Sequence, residues 1–310
     1  MRRQEPLPPH LSDLEPGCAD LTQARAHVLG LCRHYENFSL SSCFLPRRLR
    51  PALAGIYAFA RFSDDLADEA PPCPVPGLSM NELRRLRLRH WLGLLEALPE
   101  SADRHPVLRA LAEDARIHAL PLEECRRLLL AFLQDQGPPD YPDDAAVLDY
   151  CRNSAAPVGR LLLALNGRGA DHPLHHRLTP PADALCAGLQ LANFWQDLAH
   201  DLPAGRLYIP RSRLATHGLP ADADALLRSG PAFEPLLQDL LAWTRGLLLE
   251  GRALARHLPW RFALEVSMFM GGGLAIVDET ERLGARILGR RPVVSGARKA
   301  RIALGALLHA

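Results

Sequence analysis

Over most of this chain apolar residues recur at the three- and four-residue spacing of a helix. The runs are Leu49–Ala70, Met80–Leu98, Val107–Leu120, Leu122–Gln134, Ala145–Gly167, Ala182–Leu202, Phe233–His257, Trp260–Leu288 and Gly296–His309. Turn-forming clusters separate them: Pro71 to Gly77, Gly137 to Asp140, Thr179-Pro180-Pro181 and Gly218-Leu219-Pro220. Val and Ile together number only 15, while Leu and Ala dominate. β-branched residues favour strands and Leu and Ala favour helices, so the chain is predicted to be all-α. No repeat of fixed period and no long linker divides it. Residues 21–310 are therefore expected to form one helical domain, with residues 1–20 as a flexible N-terminal extension.

Composition excludes several functions. With 36 basic and 35 acidic residues the net charge is +1, without the basic excess of a nucleic-acid binder. The seven cysteines are scattered and never in C-x-x-C spacing, the usage of reduced thiols rather than a disulfide framework or zinc site. Met1 to Pro9 holds charges and prolines but no apolar core, so no secretory signal is expected. The longest apolar stretch, Met268 to Val277, is about ten residues against the roughly 20 needed to span a bilayer. A cytoplasmic protein without a transmembrane segment is expected, with a peripheral position at the inner membrane left open.

Two acidic stripes carry the chemistry. Tyr57, Arg61, Asp64, Asp65 and Asp68 fall on one face of the Leu49–Ala70 run, otherwise apolar through Leu53, Ile56, Phe59 and Phe62. Asp64 and Asp68 are a like-charge pair one turn apart, a small cost on a bare helix that a divalent cation would remove. Alone, this stripe reads equally well as a solvated acidic helix end. Gln190, Asn193, Asp197 and Asp201 form a second stripe, spaced three, four and four, on a helix apolar almost all round. Such a helix is expected to be buried, and buried carboxylates need counter-charge. Oxygen ligands without His or Cys point to Mg²⁺, completed by water and phosphate oxygens. Arg61 suits a phosphate clamp.

These two stripes, as Asp64-Asp65-Leu66-Ala67-Asp68 and Asn193-x-x-x-Asp197-x-x-x-Asp201, resemble the aspartate motifs of the squalene/phytoene synthase family. Tyr57-Ala58-Phe59-Ala60-Arg61, Tyr150-Cys151-Arg152-Asn153-Ser154, Gly205-Arg206-Leu207-Tyr208-Ile209-Pro210 and Leu288-Gly289-Arg290-Arg291-Pro292 extend the resemblance from about Cys32 to about Ala306. It implies an isoprenoid-synthase fold, with helices around a central apolar cavity, and an isoprenyl diphosphate substrate. By the same resemblance Asp64, Asp65, Asp68, Asn193, Asp197 and Asp201 are the metal ligands. Tyr57, Arg61, Tyr150 and Gln196 are the catalytic candidates, and Phe38, Arg61, Gln190, Arg206 and Tyr208 the substrate-binding ones. Phe38, Phe44, Phe59, Phe194 and Trp195 could line the cavity, or simply pack a core.

Local sequence is similar to the bacterial branch that makes hydroxysqualene for hopanoids: His34 to Phe38, Asn153 to Arg160 and Asn193 to Asp197. Condensing members typically carry arginine where this chain has Gln196, and Val-Ala-Gly where it has Ser154-Ala155-Ala156. The resemblance thus implies Mg²⁺-dependent conversion of presqualene diphosphate to hydroxysqualene, with Gln196 helping to hold the quenching water. The alternatives are condensation of two farnesyl diphosphates to presqualene diphosphate, or a non-catalytic assembly factor, which would tend to lose these aspartates. No dinucleotide-binding glycine turn is present, and a water-quenched product needs no reductant. A hydrocarbon product leaves room for transient contact with the membrane or a pathway enzyme. Gly271-Gly272-Gly273 is expected to serve close packing or cavity volume.

Overall fold

The structure, a computed structural model, describes residues 7–18, 20–32, 46–69 and 74–309. Phe38 and Phe44 lie outside the described residues. No strand occurs among those described, so the all-α expectation holds. They group into two compact units: the chain up to Gly137 with Leu161–His172, and Pro138–Arg160 with Pro173 onward.

The first unit holds α1 (Leu21–Cys32), α2 (Arg50–Asp68), α3 (Met80–Glu96), α4 (Pro106–His118) and α5 (Leu122–Gln134). Helix α2 packs on α1, α3, α4 and α5, burying Phe59 completely against Trp91 of α3. Trp91 Nε1 donates to Ser63 Oγ at 3.1 Å, and Ser63 Oγ donates to the Phe59 carbonyl at 2.7 Å. That chain satisfies the indole N–H inside the core and fixes α2 one residue before Asp64. Ser79 and Glu82 form a capping box at the start of α3. The expected flexible extension is, over residues 7–18, packed onto this unit. Leu11, Leu14 and Cys18 are buried, Asp13 pairs with the buried Arg87 at 2.6 Å, and Glu15 pairs with His90 at 2.8 Å and with Arg104.

The second unit contains α6 (Asp144–Ser154), then, after α7 (Ala156–Leu165), α8 (His175–Gln196) and α9 (Leu198–Asp201). It continues with α10 (Arg211–Thr216), α11 (Ala223–Leu227), α12 (Glu234–Glu250), α13 (Arg252–Ala255), α14 (Trp260–Leu283) and α15 (Gly296–His309). Helix α8 packs on α12 and α14. Trp195, fully buried on α8, donates to Thr244 Oγ1 at 2.8 Å, and Thr244 Oγ1 donates to the Leu240 carbonyl at 2.8 Å. The device is the one used on α2. A buried indole fixes the helix two residues before Asp197.

Three runs with continuous helical periodicity are broken. The 145–167 run divides at Ala155, because Pro157, which lacks an N–H, sits in the first turn of a new helix where none is needed. The 233–257 run divides at Gly251. The second acidic run ends at Gln196, with Asp197 out of helical geometry (φ −101°, ψ 7°) before α9 begins. That helix also starts at His175, so Thr179-Pro180-Pro181 lies inside it rather than marking a break. The carbonyls those prolines leave unpaired belong to His176 and Arg177, both exposed to water.

The segment Trp260–Leu288 is long and apolar enough to cross a bilayer by length and composition. Helix α14 nevertheless packs against α8, α12, α13 and α15, as a core helix of this unit does. Its glycines serve packing at two of three positions: a Cβ at Gly273 would lie 2.9 Å from Leu189 and Leu248, and one at Gly271 2.7 Å from Ile302. Gly188 on α8 is tighter still. A Cβ there would meet both the Leu248 side chain and its backbone nitrogen at 2.9 Å. Backbone cannot swing aside, so Gly188→Ala is expected to force α8 and α12 apart and cost about 1–3 kcal/mol. Chemical denaturation should show a lower midpoint at unchanged far-UV circular dichroism.

Candidate active site

In the first unit the site residues occupy the last three turns of α2. Tyr57 and Arg61 are half-buried, Asp64 and Asp65 likewise, and Asp68 is exposed. Arg61 bridges two carboxylates, reaching Asp64 Oδ2 at 2.7 Å and also Asp65. Burial, followed by repulsion from Asp68, pushes the Asp64 carboxyl up to about 6 against Arg61's opposing pull. Asp65 is also raised, again mainly by burial. One arginine thus fails to neutralise the cluster. The end of α2 is held by residues that carry no motif signal. Arg84 donates to the carbonyls of Asp68 and Glu69, and Gln136 Nε2 donates to the Ala67 carbonyl at 3.2 Å, satisfying acceptors that a helix C-terminus leaves open.

In the second unit Gln190 is half-buried and Asn193 is exposed, so the stripe on α8 is not wholly interior as expected. Asp201 lies beyond the break at Asp197 and is buried. The break turns these two carboxylates onto different arginines. Arg206 donates to Asp201 Oδ1 from Nε at 3.0 Å and Nη2 at 2.6 Å. Gly205 makes that return possible, since its φ of 74° is left-handed. Arg291 engages Asp197 through Nε and through Nη2 at 3.4 Å. Beside that pair, Gln196 Nε2 donates to the Pro292 carbonyl at 2.9 Å. Residues 196–197 and 291–292 therefore form a two-point clasp.

The clasp bears on the expected role of Gln196. A glutamine amide carries two N–H donors and one acceptor oxygen, and here one N–H is committed to the Pro292 carbonyl, which anchors the amide on the 291–292 loop. Its second N–H and its oxygen remain for a water. Ser154 presents a different situation: its Oγ is buried without a hydrogen-bond partner, one helical turn from Tyr150.

Aromatic side chains gather beside these carboxylates. Phe194 and Tyr208 stack with centroids 4.0 Å apart and planes within 6°. Tyr150 lies 6.1 Å from Phe194 and 6.5 Å from Tyr208, and Tyr141 lies 5.7 Å from Tyr150. Nothing in the sequence singles out Tyr141, which stands alone behind a Pro-Pro-Asp turn. Its carbonyl accepts from Arg211 N at 2.9 Å, tying the Tyr208 loop to the start of α6. Of the other candidate wall residues, Phe59 and Trp195 are core, each sealed by its own contacts.

Among the described residues no three carboxylate, histidine or cysteine side chains already converge as a metal cluster. Asp64, Asp65, Asp197 and Asp201 are each turned onto an arginine instead. The donor chemistry still fits a hard divalent cation. Every candidate ligand is a carboxylate or carboxamide oxygen, and the Asp64 carboxyl, raised first by burial and then by Asp68, is one whose charged form a bound cation would favour.

Comparison with known proteins bears on the same residues. The squalene/phytoene synthase family matches residues 31–298. A hydroxysqualene synthase of Rhodopseudomonas palustris is 34% identical over 250 residues, covering 80% of each chain. One from Sinorhizobium fredii is 33% identical over 245 residues, covering 78% of each. The crystal structure of a squalene synthase from Alicyclobacillus acidocaldarius superposes with a TM-score of 0.75 at 33% identity, covering 85% of this chain and 95% of that one. A dehydrosqualene synthase shares the fold at a TM-score of 0.79 and 19% identity. The match takes in both aspartate segments, the Tyr150 helix and the Arg206–Tyr208 loop, and the chain belongs to the squalene/phytoene synthase family, whose isoprenoid-synthase fold it adopts.

Proposed function

We propose that this chain is a hydroxysqualene synthase, converting presqualene diphosphate to hydroxysqualene with Mg²⁺. The observation that carries the reaction class is the second unit's aromatic cluster, with the Phe194–Tyr208 stack bracketing Asp197, Asp201 and Arg206 in sequence and joined to Tyr150. Relatives named hydroxysqualene synthase and the neutral Gln196 support the branch.

Asp64, Asp65 and Asp68 of the first unit and Asn193, Asp197 and Asp201 of the second are the oxygen ligands that would hold Mg²⁺, which would supply positive charge to the departing diphosphate. The chain's own residues do the rest. The carbon–oxygen bond breaks with its electron pair leaving on the diphosphate. In the second unit Arg206 and Arg291, released from Asp201 and Asp197, take up that charge. The carbon left positive needs faces that tolerate a cation without attacking it, which Tyr150, Phe194 and Tyr208 provide. One water adds to the carbon and loses a proton, giving the alcohol. Electrons balance without a reductant.

The test is purified protein with presqualene diphosphate and Mg²⁺, without NADPH. Hydroxysqualene and diphosphate should appear in equal amounts, and farnesyl diphosphate should not be consumed. Conversion of farnesyl diphosphate to presqualene diphosphate would overturn the reading in favour of the condensing branch. A presqualene diphosphate synthase of Rhodopseudomonas palustris is 31% identical over 67% of this chain, which makes that arm necessary.

A further inference from the structure

We propose that α15 and the start of α14 form a docking surface for an anionic lipid bilayer. The two helices run antiparallel: Arg298 bonds Asp278 and, at 3.0 Å, Glu279, while Ile302 packs at the Gly271 position. Ile302 and the buried Ala306 thus form the inner side of α15. Its outer side is Ala297, Ala300, Leu304 and Leu307, spaced three, four and three, and all exposed. Leu304 is 59% exposed and Leu307 55%. A helix on a protein surface normally turns its polar side to water. This one presents an apolar stripe.

Its flanks are cationic. After Glu281 the chain carries seven lysine and arginine residues and no aspartate or glutamate. Lys299 and Arg301 are exposed beside the stripe and make no ion pair among the described residues. Continuing past Ile302, α15 runs toward the start of α14, where Trp260 is 59% exposed with the Arg261 guanidinium 4.8 Å from its ring. An exposed indole under an arginine is amphipathic at the scale of a headgroup–acyl boundary. Exposed leucines, flanking cations and an interfacial tryptophan are the components of an in-plane membrane contact. Charge decides between occupants: a second copy would bring the same cations against these, whereas an anionic surface attracts each of them. The surface shares no residue with the aspartate motifs, so its occupancy needs no assumption about the reaction.

Co-sedimentation with phosphatidylcholine vesicles containing about a third phosphatidylglycerol tests this. Binding should exceed that to pure phosphatidylcholine about tenfold and weaken with salt. Leu304→Ser/Leu307→Ser should lower partitioning about tenfold, and Lys299→Glu/Arg301→Glu should remove the preference for the anionic lipid. Trp91 and Trp195 are fully buried and Trp243 is half-buried beneath the Arg213 guanidinium, 4.4 Å from its ring, so most of a vesicle-induced blue shift should vanish in Trp260→Phe. If the serine pair disturbs the far-UV spectrum, the charge-reversal pair decides. Absence of binding, equal binding to both vesicles, or binding unchanged in the charge-reversal protein would overturn the proposal. So would lipid-independent dimerisation that the serine pair abolishes, since the stripe would then be an interface between copies. Asp64→Asn should bind vesicles like wild type, separating this surface from the proposed reaction.

Discussion

Asp64→Asn should lower turnover about 100- to 1,000-fold, the scale for removing a group that holds charge at a reacting centre, and should at the same time stabilise the metal-free protein. Both effects come from one carboxylate. Its pKa of about 6, raised from 3.8 by burial and Asp68, means that the folded protein disfavours the charge that a cation needs. An aspartate whose folded value lies above its unfolded value costs stability at pH above about 6. That cost is relieved as pH falls through 6 toward 3.8. The side chain is 38% exposed, so after allowance for solvent screening the gain from asparagine is about 1 kcal/mol or less. Thermal melts in a chelator at pH 7.5 and pH 5 check it. The variant should melt higher than wild type at pH 7.5, and the gap should close at pH 5. Added Mg²⁺ should raise the wild-type melting temperature and leave the variant's unchanged. Equal melting at both pH values, or full turnover at limiting Mg²⁺, would remove Asp64 from the site.

What is legible in the sequence follows the range of the interactions concerned. The 3.6-residue period is local, so α2, α3, α4, α5 and α15 appear close to where periodicity places them. Aspartates one turn apart are also local, and the spacing of Arg61, Asp64 and Asp65 alone marks them as a unit. Breaks within long runs are harder. Pro157 signals one, but two prolines inside α8 give the opposite signal, because exposed carbonyls at His176 and Arg177 make them tolerable there. The break at Asp197 has no proline or glycine to mark it, and it separates Asp201 from the face that spacing assigns it to. Long-range pairs leave no trace in spacing. Arg291 reaches Asp197 across 94 residues, and Trp195 reaches Thr244 across 49. No spacing rule connects such positions. The motif Gly289-Arg290-Arg291-Pro292 is recognisable, but the partner of Arg291 is not.

The second large effect concerns the water. Ser154→Ala should leave diphosphate release within about twofold of wild type while diverting most of the product from alcohol to eliminated or rearranged hydrocarbon. Release depends on the arginines and the aspartates, none of which this substitution touches. Capture depends on an ordered water with two or more polar partners. A buried hydroxyl without a partner is rare in a folded protein and asks for a bound water or a functional role. Ser154 Oγ is such a group, one turn from Tyr150. Gln196→Leu should behave in the opposite way. Losing its amide leaves the Pro292 carbonyl unsatisfied, at a cost of about 1–3 kcal/mol, and loosens the loop that sets Arg291 on Asp197. Diphosphate release should then slow about tenfold with a nearly constant product ratio. A paired phosphate and lipid-product assay on the two variants reads both numbers at once. If Gln196→Leu shifts the ratio at an intact rate while Ser154→Ala does not, the water sits on the Gln196 amide and Ser154 is only a buried hydroxyl at a helix break.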